Sequence, residues 1–304
     1  MVNKKDIQDK NDHNFNKFYR NTLVPYAFTS PAILVFLFVI LSPVIISLIL
    51  SFYKFTGFDA NFFKEFVGFE NFKILFNDKF FFISFRNTLY FVIASITIQI
   101  ALALMISIFI FFGNFKNSVL LRTIIFFPCV LAPVAVSLAW RKMLEQDGVI
   151  NQIFHLSFPW LANVQTAIWV VVFVSIWQWT GYNMVIFYAG LQSVDKEILE
   201  ASDVDGSSWW GKIFKIIIPT IWPTIVLNVI LNLVGGFRVF DLVYVLTRGG
   251  PVHSSEVLTT IMYYYSFAAN GPNKMGVGSA IAFIMFAIMI IFGVLRVRFL
   301  KKGV

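Results

Sequence analysis

Six stretches of the chain carry no charged residue, at 21–53, 87–115, 123–140, 148–194, 216–237 and 275–295, and polar segments separate them. An apolar helix of about 20 residues crosses the hydrocarbon core of a bilayer, so each stretch has room for one span. The expected spans lie at 28–52, 88–112, 119–140, 166–191, 222–246 and 276–297. The fold class that follows is an all-α membrane protein with six transmembrane helices. Pro31, Pro43, Pro128, Pro133 and Pro223 fall inside or beside these spans. Membrane helices tolerate proline where neighbours re-satisfy the freed backbone groups, which predicts kinked helices packed against one another.

Composition agrees with this pattern. Of 304 residues 58% are hydrophobic and only 13% charged, against about 25% charged in soluble domains, so a water-soluble globule is excluded. The first uncharged run, residues 21–53, is far longer than a secretory signal's apolar core of about 7–15 residues, and reads as a retained anchor. Residues 1–24 then form a polar tail, 25–298 the membrane domain and 299–304 a second tail. Segments 53–87, 141–165 and 247–275 connect spans on the outer side, the last with turn signals at Arg248-Gly-Gly-Pro251 and Asn270-Gly-Pro272.

Placing the N-terminus inside assigns 14 Lys and Arg to the cytoplasm, from Lys4, Lys5, Lys10, Lys17 and Arg20 through Lys116, Arg122, Lys196, Lys212 and Lys215 to Arg296, Arg298, Lys301 and Lys302, against nine outside. That bias sets both termini in the cytoplasm. The net charge of +8 is therefore read as topology and contact with anionic lipid, not nucleic-acid binding. Cys129 has no second cysteine to pair with and lies within a span beside Pro128.

The polar island at 195–219 carries the most specific pattern. Asp195, Glu197, Glu200, Asp203 and Asp205 precede Lys212 and Lys215. A helix over 196–204 would be favoured by acids at its start and stopped by Gly206 in the left-handed conformation. A second helix would begin near Ser207 or Ser208, both suitable N-caps, and run into Pro219. Two short helices around a glycine make a protruding knob. Gly206-Ser-Ser-Trp-Trp-Gly211-Lys212 mimics the opening of a phosphate-binding P-loop, but Ile213 stands where Ser or Thr must ligate magnesium and no strand precedes it. His13, His155 and His253 lie in three separate segments without metal-ligand spacing, and no Gly-x-Ser-x-Gly elbow is present. The chain is not expected to be an enzyme, nor to bind a cofactor or metal.

Glu200, Ala201, Gly206, Ile216 and Pro219 fall on every spacing of the EAA loop, the cytoplasmic coupling element of binding-protein-dependent ABC importer permeases, with Ser202 and Ile218 at two further positions of the pattern. Trp179-Thr-Gly181-Tyr-Asn183, Phe237-Arg-Val-Phe-Asp241 through Pro251, and Arg86-Asn-Thr88 are likewise similar to segments of the carbohydrate-type members, so the resemblance covers most of residues 68–297. It implies one permease half working with a second, related permease, two cytoplasmic ATPase subunits that hold ATP and magnesium, and an external binding protein, all at a bacterial cytoplasmic membrane. It assigns coupling to Glu200, Ala201, Ser202, Asp205 and Gly206. The same resemblance places the substrate pathway along the fourth and fifth spans.

The pathway candidates there are Trp177, Trp179, Gly181, Asn183, Asn232, Gly236, Phe237, Arg238 and Asp241, with Asn228 nearby. Aromatic faces and amides suit the apolar faces and hydroxyls of sugars. Interfacial tryptophan belts and close helix packing at Gly181, Gly235 and Gly236 are the competing explanations. Arg238 and Asp241, three residues apart, would share a helical face and pair, either in the pathway or at the outer interface. One offset cation favours a neutral mono- or oligosaccharide over glycerol 3-phosphate. A secondary transporter would instead show midplane acids or a broken inverted repeat.

Overall fold

The computed structural model describes residues 23–57, 65–113 and 115–301. The basic residues Lys4 to Arg20, His13 and most of the expected tail at 1–24 lie outside the described residues, as do residues 302–304 of the second tail. Among the described residues every regular element is helical, and the only strand-like feature is a bridge between Tyr53 and Phe66.

The chain opens with α1 (Leu23–Val35) and α2 (Ser42–Leu50), joined by a π-helical turn at Phe36–Leu41 into one long helix. Pro43 accounts for the widened turn. Its ring excludes the carbonyl four residues back, and the Ser42 N–H bonds to Leu37 O, five residues back. After the short α3 (Glu70–Phe76) come α4 (Lys79–Ala94), a π turn at Ser95–Gln99 and α5 (Ile100–Phe112). Asp78 caps α4, its carboxylate accepting from the Phe80 N–H at 2.9 Å. The resulting helix, Lys79–Phe112, has 34 residues and begins nine before the expected span.

Next are α6 (Ser118–Val130) and α7 (Pro133–Met143), bent by 91°. Pro128 and Pro133 flank this break, and Leu131 and Ala132 leave the helical region. The short α8 (Val149–Ile153) precedes the uninterrupted α9 (Ala167–Leu191). Then follow α10 (Lys196–Val204), α11 (Trp209–Lys212), a π turn at Ile213–Ile217, α12 (Ile218–Thr220), α13 (Trp222–Phe237), α14 (Asp241–Leu246), α15 (Leu258–Ser266) and α16 (Met275–Lys301).

Among the described residues four helices are long and apolar enough to cross a membrane alone: Phe28–Leu50, Lys79–Phe112, Ala167–Leu191 and Met275–Val294. Two bent pairs, α6 with α7 and Trp209–Thr220 with α13 at 71°, bring the number to six when each pair is counted as one broken span. The expected third span is thus two half-helices. The expected fifth ends as a continuous helix at Phe237 instead of 246.

Helix α9 is the axis of the core. Val171, Val174, Met184, Phe187 and Leu191 along its length are fully buried. Its N-terminal half packs with Phe91, Val136 and Val243, and its C-terminal half with Ile100, Ala103, Ile217 and Ile221. The first span differs: it buries Leu50 but exposes Ile33 through Ile40, an apolar surface suited to lipid.

The connection between α14 and α15 is tied to the second span. Asn87 Nδ2 donates to Ser254 O at 2.7 Å and to Glu256 O at 2.9 Å, and the Leu258 N–H donates to Thr88 Oγ1 at 3.0 Å. Here the Glu256 carboxylate is buried against the Thr260 hydroxyl, His253 Nδ1 at 3.3 Å, and Gly249, where any Cβ would overlap it. Burial pushes the Glu256 carboxyl above its ordinary value, and the bonds from Thr260 and His253 oppose that shift.

A raised folded-state pKa on an acid means the folded chain holds the proton more tightly, so this contribution to stability is present at low pH and lost as pH rises through the folded value. Glu256→Gln keeps a partner for Thr260 and cannot ionise. Thermal unfolding of the purified protein between about pH 5 and pH 8 should therefore show a flatter decline with pH in the variant than in the native chain. An unchanged slope would remove Glu256 as its source.

Candidate functional site

Two features stand out, a knob and a cavity. In the knob, Asp195 caps α10 by accepting from the Glu197 N–H at 2.9 Å. The helix ends in a Schellman turn: the Ser207 N–H donates to Ser202 O at 2.9 Å and the Gly206 N–H to Asp203 O at 3.1 Å. Gly206 has φ +70°, a region that an L side chain enters only at a cost, and nothing lies within 4 Å of where its Cβ would be. Ser208 then caps α11, its hydroxyl accepting from the Gly211 N–H at 3.2 Å. Lys212 pairs with Asp203 across the turn.

The knob's inner face is apolar and continuous with the core. Leu199, Ile213, Ile217 and Ile221 pack with Leu191 and Ile108, and Trp209 meets the Phe112 ring edge-on at 4.8 Å. Its outer face presents Glu200, Ala201, Asp205, Gly206 and Val204, the last 89% exposed. Ser202 does not belong to that face: it is buried, and its hydroxyl donates to Leu199 O at 2.7 Å.

The cavity has a volume of about 380 Å³ and lies between the second span, α9 and the end of α13. Of the expected pathway residues, Trp179, Asn183, Asn232, Gly236, Arg238 and Asp241 line it. Three others do not. Trp177 packs edge-on against Trp140 at 5.5 Å and is half exposed. Gly181 serves close helix packing, because a Cβ there would overlap the backbone carbonyl of Ile125 on α6. Phe237 is buried in the cluster with Val92 and Ile281.

A second expectation is corrected at Arg238 and Asp241. The helix stops between them: Arg238 caps α13, Phe240 leaves the helical region at φ −131°, and Asp241 begins α14. They share no helical face, and among the described residues they form no ion pair with each other. Both are exposed at the cavity.

The lining also contains Ser95, Gln99, Ser175, Gln178 and Tyr182, which the sequence reading did not single out. Gln99 and Ser95 reach the cavity from the two ends of the π turn, an insertion that re-aims side chains within a helix. Gln99 Nε2 donates to Asn232 Oδ1 at 2.7 Å, and Asn232 Nδ2 donates to Asn183 Oδ1 at 3.0 Å and to Asn228 O at 2.9 Å. Gln178 donates to Leu131 O at 3.2 Å, at the break between α6 and α7, while its fully buried Oε1 accepts no hydrogen bond. The lining therefore offers amides, hydroxyls and aromatic faces, with one positive and one negative group whose formal charges cancel.

Residues 89–302 match the family described as the binding-protein-dependent transport system inner membrane component. The chain belongs to that family. It is an integral membrane subunit of a binding-protein-dependent transport system. It is similar to the lactose transport system permease protein LacF of Rhizobium radiobacter, 33% identical over 250 residues, covering 80% of this chain and 83% of the relative. It is also similar to the probable starch degradation products transport system permease protein AmyD of Thermoanaerobacterium thermosulfurigenes, 30% identical over 293 residues, covering 94% and 97%. The crystal structure of a bacterial ABC transporter that imports the acidic polysaccharide alginate shares the fold, with a TM-score of 0.80 at 20% identity over 95% of this chain and 99% of that one.

The glycines separate packing from lining. Gly181→Leu should destabilise the folded protein by about 3 kcal/mol or more, since the backbone of Ile125 cannot yield to the side chain. Gly235→Ala, with open space at its Cβ position, should stay within about 1 kcal/mol of the native protein. Thermal unfolding in detergent checks both. Equal stability of the two variants would exclude the close approach.

Proposed function

We propose that this chain is one permease half of an ATP-driven importer, carrying a neutral mono- or oligosaccharide that an external binding protein delivers. A second related permease would complete the pathway, and two cytoplasmic ATPase subunits would dock on the knobs. The carrying observation for the substrate class is the cavity: its polar surface is built of buried neutral amides and hydroxyls, and its only charges, Arg238 and Asp241, offset each other. A phosphate dianion would call for uncompensated cations in a low-dielectric site. The relatives named for lactose and for starch degradation products support the same class.

Coupling would work through differential contact. ATP-driven closure of the ATPases draws the knobs together and favours the outward-open permease, and hydrolysis releases it; nucleotide state thereby biases membrane state. Glu200, Ala201, Asp205 and Gly206 stand on the knob's exposed face, with Val204 as an apolar contact, while Ser202 holds the helix end from inside. Both termini and the knob then lie in the cytoplasm, in agreement with the 14-to-nine bias of basic residues.

Uptake of radiolabelled sugars and of glycerol 3-phosphate by the complete transporter tests the substrate. Carriage of a neutral sugar is expected, and carriage of the phosphate ester alone would overturn the proposal and make Arg238 the leading anion ligand.

The knob is tested separately. Gly206→Val forces a β-branched residue to φ +70° and should cut uptake about tenfold or more while the permease remains in the membrane. A Ser208→Cys variant lacking Cys129 should react with an impermeant thiol reagent only in permeabilised cells. Native uptake in the first variant, or labelling of the second in intact cells, would refute the coupling or the orientation respectively.

A further inference from the structure

We propose that Phe240, Tyr244, Tyr263 and Phe267 form an aromatic platform on which a sugar chain stacks as it extends out of the cavity, so that this permease accepts oligosaccharides longer than the cavity alone can hold. The inference rests on the sugar reading above and adds a binding surface to it. The four rings form a connected set. Phe240 and Tyr244 stack at 5.2 Å with 14° between their planes, Tyr263 lies 5.4 Å from Phe240 and 5.1 Å from Tyr244, and Phe267 continues at 6.0 Å from Tyr263. Phe240 also lines the cavity, which makes the platform continuous with it.

These rings are not the packing core of their helices. Leu242, Val243 and Leu246 on α14 and Leu258 and Ile261 on α15 take that role and are almost wholly buried. The aromatics occupy the opposite side, with Tyr244 36% and Phe267 60% exposed. Phe240 precedes α14 and Phe267 follows α15, so each short helix contributes one tyrosine and the residue at its end a phenylalanine, and the ring contacts join them into a single surface. Flat rings offer the C–H faces of a sugar an apolar partner of matching shape, and the tyrosine hydroxyls supply hydrogen bonds at the rim. This chain's own share of the cavity is about 380 Å³, at the small end of the roughly 300–1,000 Å³ range of ligand sites, so a longer sugar extends from that share toward the partner permease or over its rim. The projecting units meet Phe240 first.

The test uses the complete reconstituted transporter with its native binding protein, and radiolabelled pairs of one series: maltose with maltotriose, and arabinobiose with arabinotriose. The readout is the ratio of maximal uptake rates, trisaccharide over disaccharide, which cancels any general loss of assembly. Tyr263→Leu and Phe267→Leu keep apolar bulk but remove the flat face, and should each lower that ratio about three- to tenfold. Tyr263→Phe keeps the face and should retain at least half of it. An unchanged ratio in both leucine variants overturns the platform, as does equal loss of both sugars together with dissociation of the permease pair, which would mark the surface as a subunit contact. If the native transporter carries glycerol 3-phosphate and no neutral sugar, the sugar reading itself fails and the platform falls with it; native sugar transport with unaltered ratios refutes the platform alone.

Discussion

Three side-chain amides on three helices hold the centre of this molecule together. Gln99, Asn183 and Asn232 are buried, and their mutual hydrogen bonds join the second span, α9 and α13. A buried amide without a partner costs about 1–3 kcal/mol. Asn232 is therefore best placed between the other two, bonded to both, which restrains the rotation and register of all three helices. The same constraint leaves Gln178 Oε1 and Asn228 Oδ1 buried without donors. Polar groups that order the bundle and a polar group that stays available are thus parts of one arrangement.

Departures from the ideal helix do the remaining positioning. Proline accounts for the π turn before Pro43 and for the 91° break flanked by Pro128 and Pro133. The π turn at Ser95–Gln99 contains no proline, yet a Thr97 hydroxyl bond to Ile93 O at 2.7 Å sits within it, the back-bonding that often accompanies a bent helix. That turn is what brings Gln99 to Asn232. Beyond Phe237 the helix stops, so Arg238, Val239 and Phe240 reach the cavity from non-helical backbone and Asp241 from the first turn of α14.

Much of this was legible in the sequence where local chemistry decides the outcome. The limits of α10 follow from an acidic cap at Asp195 and a glycine at 206, signals that act within a few residues and need no tertiary context. Asn183 and Asn232 stood out as amides within apolar runs. Gln99 and Gln178 are amides of the same kind, but the uncharged runs give no periodicity to tell an inward face from an outward one. Trp177 and Phe237 were candidates as aromatic faces, yet neighbouring positions on a helix point in different directions, and Gly181 follows its competing explanation, close helix packing. The pairing of Arg238 with Asp241 presumed an unbroken helix, and no proline or glycine between them announces the break.

The Lys79–Phe112 helix gives the structure a mechanical property. Near one end, Asn87 and Thr88 grip the segment leading into α15; at the other, Phe112 bears on Trp209 of the knob. At 1.5 Å per residue its 34 residues span about 50 Å, comparable to a whole bilayer with its headgroups. Every peptide in between is helical, so no loose joint separates the two contacts. The helix has the form of a connecting rod: its contact with the knob and its contact with the segment leading into α15 are joined by one run of backbone hydrogen bonds instead of a relay of side chains.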